Sequence, residues 1–362
     1  MNQNNTAVNL YEDVLKVQTK IIFDFKLKVQ NCSSSQLVSD IIDKLKQQQQ
    51  LKSLAIDLYN KKIQDNNASK LVTCIAECPN LTHLRLNLEY NKLGYNSNDF
   101  YVALPKLQNL NKLNLNLGSN YVGEKGVLIL ASNLALLKNL KKLSLNLDSN
   151  NIGDNGAYVL NSYISDNGNI ENLELNLNTN NILNKGAKDL FDCLANSKRL
   201  QNLSIDLGSN KISGKSNFTS ALSHFPFLKS LNLKLWGCNI GTTGASFLSS
   251  NLSKCKNLTD LSLDISFNNI DTQSILDINQ ALENCVKLNS LSLKTSFSDI
   301  GQEGMKNLGS SIKNNKNLYK LTIEFTGNNM GSQANQQFKR KVFKMQRLVQ
   351  FEDKYGPIIM EL

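Results

Sequence analysis

The chain has 362 residues, of which 41% are hydrophobic and 19% charged, with a formal net charge of +10. No stretch of eighteen apolar residues occurs, so no membrane-spanning helix is expected, and a mean hydropathy of -0.30 suits a water-soluble packed protein. The lysines behind the charge are spread along the chain rather than massed, which argues against a dedicated phosphate-backbone binder.

In chain order, the first stretch is MNQNNTAVNLYEDVLK, which lacks the apolar core of a secretory signal. The amphipathic residues 6–20 read as a capping segment, setting residues 1–20 apart. Ile22, Phe25, Leu27 and Val29 then give a first strand pattern. From there a fixed period takes over. An opening apolar residue falls at Leu51, Leu81, Leu110, Leu140, Ile170, Leu200, Leu228, Leu258, Leu288 and Leu318, at steps of 28 to 30 residues. Self-similarity at one period marks a solenoid, which places residues 21–332 in one elongated domain whose units touch only their neighbours. Residues 333–362 read as a basic helix followed by a closing strand, because Leu348 and Phe351 repeat the opening pattern of Leu318 and Leu321. Lys339, Arg340, Lys341, Lys344 and Arg347 load that helix with cations, a solvated face or an acidic docking site.

Within a unit, counting from the opening residue as zero, apolar residues return at offsets 3, 5 and 7, as in Leu143, Leu145 and Leu147. That alternation is a strand with one buried face. Asn follows at offset 10 (Asn91, Asn120, Asn150, Asn180, Asn210, Asn268, Asn328), then an apolar residue at 12, often with Gly after it. Apolar residues at offsets 20 and 24, as in Leu190 and Leu194, form one face of a helix. Neither element can bury its apolar side alone, so stacking must close a core between a parallel sheet and a layer of helices. Helices are roughly 10 Å wide against about 4.8 Å for strands, so the stack curves with the sheet inside. About twelve units give an inner arc on the order of 50 Å. The Asn column suits an amide that satisfies backbone groups in the turn.

The pattern LxxLxLxLxxNxIGxxGxxxLxxxL resembles the leucine-rich repeat family, most closely its ribonuclease-inhibitor-like subclass, and is similar to the Asn- and Lys-rich repeat proteins of ciliates. The resemblance implies an α/β horseshoe with the parallel sheet concave and the helices convex. It implies a binding scaffold and names no partner.

The seven cysteines fall in repeat columns, as small buried residues would, and form no CxxC or metal-ligand spacing. A reducing, cytoplasmic setting with free thiols follows. No cofactor motif occurs: residues 208–216 have five residues between the glycines of a P-loop-like run, where four are needed. The two histidines, His83 and His224, stand apart from any nucleophile motif, so no catalytic or metal residues are assigned.

Function is expected on the concave face. Offset 6 supplies Asn87, Asn116, Asn146, Asn176, Asp206, Lys234, Asp264, Lys294 and Glu324. Offset 8 supplies Tyr59, Glu89, Asp148 and Trp236, and His83 and Arg85 lie on one inner strand. Stacked amides and hydroxyls suit a polar protein surface better than a nucleic acid, and the chain by itself is expected to be a monomer. Trp236, the single tryptophan, is either an exposed hot spot or a filler of the space left by Gly208 and Gly237. In the unit opening at Leu288, Thr295 replaces the offset-7 apolar residue and Ser298 the Asn, so either the strand ends early or Thr295 is satisfied locally. The leading expectation is a non-catalytic scaffold binding a protein partner. One alternative is a small-GTPase regulator, by analogy with the Ran GTPase-activating proteins, using Arg85 and Asn87. Another is cytoskeletal or ciliary assembly through the basic C-terminal segment.

Overall fold

Each strand is built on the same columns. Residues at offsets 3, 5 and 7 are buried, as with Leu143, Leu145 and Leu147, while the residues between them face solvent in part. The computed structural model describes residues 20–23, 33–48, 50–94, 98–215, 217–328, 331–345 and 350–353. The elements are β1 (Lys20–Phe23), α1 (Ser34–Lys46), β2 (Ser53–Asp57), α2 (Gln64–Ile75), β3 (His83–Asn87), α3 (Asn98–Ala103), β4 (Lys112–Asn116), α4 (Gly123–Leu134), β5 (Lys142–Asn146), α5 (Gly153–Asn167), β6 (Asn172–Asn176), α6 (Asn184–Ala195), β7 (Asn202–Asp206), β8 (Ser230–Lys234), α7 (Gly241–Leu252), β9 (Asp260–Asp264), α8 (Thr272–Asn284), β10 (Ser290–Lys294), α9 (Gly301–Asn314), β11 (Lys320–Glu324), α10 (Gly331–Phe343) and β12 (Gln350–Asp353).

Among the described residues the strands form one open, twelve-stranded sheet in sequence order, with all neighbours parallel. Register follows the columns: Leu113 pairs with Leu143, and Leu143 with Leu173. The chain is therefore a leucine-rich-repeat solenoid, and its core is one continuous apolar seam from Leu37 to Met345 between sheet and helices. At the C-terminal end Leu321 pairs with Phe351, as the spacing predicts. At the other end the register differs. Ile21 pairs with Leu54 and Phe23 with Ile56, four residues earlier than the pattern beginning at Ile22 implies. A period-2 pattern reads the same after an even shift, so alternation alone cannot choose between the two. Phe25, Leu27, Val29, Cys32 and the capping segment before Lys20 lie outside the described residues.

The turn between strand and helix sets the geometry of the rim. At offset 9 the backbone is left-handed in each unit from Asn60 to Gly327, with φ between 51° and 74°. Several units repeat this at offset 11, as in Asn151 and Asn269, and again at offset 13. The glycines after the offset-12 isoleucine, Gly153 and Gly301 among them, sit at that third left-handed position, where a side chain would be strained.

The Asn column knits these turns together. Asn91 Oδ1 accepts from the amides of Lys61 and Ile63 in the preceding unit, at 3.0 Å each, and its Nδ2 donates to Leu58 O at 2.8 Å. Asn180 and Asn268 repeat the arrangement. Cys238 takes the place of one Asn. Its thiol donates to Leu207 O at 3.1 Å, and burial pushes its pKa up to about 12. Ser298 takes another place, and its hydroxyl is buried with no hydrogen-bond partner.

The unit opening at Leu288 resolves differently from either expectation. β10 ends at Lys294, at the same offset as its neighbours, and Thr295 is fully buried with Oγ1 unpartnered. Its backbone amide still bonds to Glu324 O at 2.9 Å. The strand ladder holds the residue in the core column, and the hydroxyl goes unmatched.

Candidate functional site: the concave face and its rim

The offset-6 side chains have a duty inside their own unit. Asn87 Oδ1 accepts from the amide of Glu89 at 3.2 Å, Asn116 from Gly118, Asn146 from Asp148, Asn176 from Asn178, Asp206 from Gly208 and Asp264 from Ser266. Each is an Asx turn that ends the strand by satisfying the amide two residues on. Their remaining groups reach across the sheet. Asn87 Nδ2 donates to Asp57 at 2.9 Å, Asn116 Nδ2 to Glu89 Oε2 at 2.9 Å, and Asn146 Nδ2 to Asn116 Oδ1 at 2.8 Å. The structure thus joins Asn87, Glu89, Asn116 and Asn146 into one half-buried lattice. An Asn column reads the same in sequence whether it serves a partner or its own backbone.

The other predicted residues fall into smaller groups. His83 and Arg85 are exposed side by side on β3. Burial holds the His83 ring below its ordinary pKa, and the ammonium groups of Lys112 and Lys142 add to the effect. Those two lysines border a shallow concave depression of about 330 Å³, floored by Ser144, Glu174 and Ser204. Asp148 is half-buried. One of its carboxyl oxygens is buried without a hydrogen-bond partner. Burial raises its pKa, with Glu89 and Asp206 contributing in the same sense. Lys234 pairs with Asp206 at 3.1 Å and Lys294 with Glu324 at 3.2 Å. Asp264 lies in register between those two lysines, yet neither pairs with it.

Trp236 follows its space-filling alternative. A Cβ built on Gly208 would run into the indole ring, so the ring lies over that glycine, with part of its surface still in solvent. Tyr59 is exposed and meets Tyr90 edge to face at 5.6 Å. Tyr90 belongs to a feature that the offset-6 and offset-8 columns do not point to. It stands at left-handed offset 9, as do Phe267 and Phe297, where most other units carry Asn, Ser, Thr or Gly. The left-handed region costs on the order of 1–2 kcal/mol per residue with a side chain. The phenyl rings of Phe267 and Phe297 nevertheless stack there, at 4.5 Å and 15°, with 53% and 52% of each residue exposed. The departure of three aromatics from a small-polar column was the signal in the sequence.

Among the described residues no group of His, Cys, Asp and Glu is arranged to hold a metal ion. His83 Nδ1 lies 2.9 Å from Thr82 Oγ1 and His224 Nδ1 lies 3.4 Å from Ser223 Oγ, each beside its own sequence neighbour. In the basic C-terminal helix, Lys341 Nζ donates to Lys306 O and Ser310 Oγ of α9, at 3.0 and 2.7 Å. Arg347 lies outside the described residues. No helix among the described residues is long and apolar enough to cross a membrane.

No protein-family profile matches this chain, and no curated protein matches it. Among solved structures it is similar to an internalin (inlF) from Listeria monocytogenes, at 16% identity and a TM-score of 0.45 over 90% of this chain and 95% of that one. It is also similar to leiomodin-1 actin-binding site 2, at 13% identity and a TM-score of 0.31 over 38% of this chain and 76% of that one. Both likenesses are too distant to carry an argument, and the fold rests on the sheet and its repeat.

Proposed function

We propose that this chain is a non-catalytic protein-interaction scaffold that holds its partner against the concave face, as a cytoplasmic member of the ribonuclease-inhibitor-like subclass. The observation that carries the reading is the polar lattice of the inner wall, which joins Asn87, Glu89, Asn116 and Asn146. Its offset-6 amides are fixed by the backbone, which leaves the offset-4 residues Asn114, Ser144, Ser204 and Ser262 half-exposed beside them. A rigid field of donors and acceptors loses little entropy on binding, which favours recognition of another folded surface. The buried thiols in core columns support a reducing compartment.

The test is proximity labelling with the full chain, followed by titration of the purified partner against Ser144→Arg/Ser204→Arg. That pair should weaken binding at least tenfold without lowering the melting temperature. Equal loss on reversing charges on the helical face instead would remove the concave site. A second reading has one observation in its favour. Arg85 is exposed and makes no ion pair among the described residues, as a regulator of a small GTPase would require. Unchanged GTP turnover across a panel of small GTPases ends that reading.

A further inference from the structure

The row of offset-9 residues at the rim reads Gly237, Phe267, Phe297, Gly327 along the last units of the sheet. All four are left-handed. A Cβ on Gly327 would meet the Phe297 ring, so that ring leans over the final glycine. At the other end a Cβ built on Gly237 would be in ordinary contact with Ser209, its Oγ at 3.6 Å, rather than with the Phe267 ring. The stack is therefore a ridge whose Phe297 end leans over a glycine while its Phe267 end does not. Column-mates such as Asn60 and Ser209 meet the same backbone demand with small polar side chains. Two half-exposed phenyl rings on a backbone that resists them fill no core.

The charge around the ridge is the reverse of the chain's surplus of +10. Asp264 stands three residues before Phe267 at the end of its strand; its carboxylate accepts from the Ser266 amide and is bypassed by both lysines in register with it. Asp299 follows Phe297 by two residues, exposed and bridged through the backbone to Asp271 of the preceding unit. Asp271 stays ionised. Burial alone would raise its pKa, but hydrogen bonds from Ser274 and Thr242 outweigh that and hold it low. Lys234 and Lys294, the lysines in register with Asp264, are taken up by Asp206 and Glu324.

We propose that the Phe267–Phe297 stack, flanked along the chain by Asp264 and Asp299, is the docking point for an arginine-bearing basic segment of a partner protein. A guanidinium is planar and weakly hydrated, lies flat on aromatic faces, and pairs with carboxylates at its edge. The exposed part of the stack offers the face, and the two aspartates offer the edge partners. The assignment rests on the scaffold reading above and moves its anchor from the floor of the concave face to the rim.

The test selects binders from a displayed library of random 12-residue peptides on the immobilised full chain, then titrates the winning peptides individually. Arginine should recur in them, and replacing it with citrulline should abolish binding. Phe267→Asn/Phe297→Asn should weaken binding at least tenfold and melt within about 3 °C of the parent, because asparagine tolerates the left-handed backbone. Asp264→Asn/Asp299→Asn should weaken binding and flatten its salt dependence. Peptides that ignore the Phe variant but fail on Ser144→Arg/Ser204→Arg would overturn the rim and leave the concave reading standing. Acidic peptides, or none enriched over an unrelated solenoid, would overturn the assignment. So would a large drop in melting temperature for the Phe variant, since the rings would then be structural. A dimer that the Phe variant dissolves in light scattering would make the occupant a second copy of this chain and overturn the basic partner.

Discussion

Asn150 shows what one ladder side chain does. Its Nδ2 donates to Leu117 O and Asp148 O at 2.9 Å each, and its Oδ1 accepts from the Val122 amide at 3.1 Å. Leaving a buried polar group unmatched costs about 1–3 kcal/mol, so Asn150→Ala should destabilise the chain by about 3–5 kcal/mol in guanidinium titration. Ser298 is the natural counterpart. Its neighbour turn has the same shape as one that does carry the ladder residue: Asp299 N bonds to Ile270 O as Tyr121 N bonds to Leu93 O, and there Asn120 fits. Ser298→Asn should therefore find Asn268 N and Ile270 N as donors and stabilise by about 1–2 kcal/mol. A loss instead would show that this turn has closed around the serine. His83 gives a residue-scale test of the electrostatics. Burial first, then Lys112 and Lys142, depress its pKa below the ordinary 6.5, so Lys112→Gln should raise the value read from ring resonances by NMR. With the folded pKa below the unfolded one, the His83 contribution to stability is present at pH above the unfolded value. It is lost as pH falls through the folded value.

At the scale of the element, β10 carries a side chain its column does not want. Leu, Ile or Phe fills offset 7 in the other units, as with Leu147 and Phe325, whereas Thr295 places a hydroxyl in the core with no partner. Thr295→Val keeps the shape and removes the hydroxyl, so it should raise stability by about 1 kcal/mol. A fall in the denaturation midpoint would mean that the hydroxyl bonds a buried water. The same element shows where sequence reading succeeds and where it stops. Strand, turn and helix were legible because buried columns leave a period that nothing else produces. The Asn ladder was legible because a buried amide must satisfy backbone. Two things were not. The oxygens of Asn87, Asn116 and Asn146 also end their own strands, a duty that the column alone does not disclose. Phe267 and Phe297 break a small-polar column in the sequence, but what that break means shows only once the sign of φ at offset 9 is known.

At the scale of the molecule, a solenoid is as cooperative as its weakest junction, since each unit is stabilised only by its neighbours. That junction is the unit opening at Leu200. It is two residues shorter than most, and where the other units from Leu110 onward carry an α-helix it has a 3-10 turn, Ser220–His224, followed by Pro226. The turn bridges α6 and α7 through a few contacts. Asn251 Nδ2 donates to Asn217 Oδ1 at 2.9 Å and Thr219 Oγ1 at 3.3 Å, Cys255 Sγ donates to Leu222 O at 3.3 Å, and the Phe218 ring tilts against Phe191 at 6.4 Å. Phe218 is the large apolar group among them and is 1% exposed. Removing such a ring costs about 3–5 kcal/mol, here where a 3-10 turn stands between α6 and α7. Phe218→Ala should therefore uncouple the chain into two folding blocks, one ending at β7 and one beginning at β8. Guanidinium denaturation should separate into two transitions, and hydrogen exchange should rise first in residues 217–230 and then on either side independently. The β7–β8 ladder, Leu203 to Leu231 and Ile205 to Leu233, resists that separation because it runs unbroken across the gap. If the variant still unfolds in one step with uniform exchange, the sheet alone carries cooperativity through the solenoid and the helical layer contributes none across this unit.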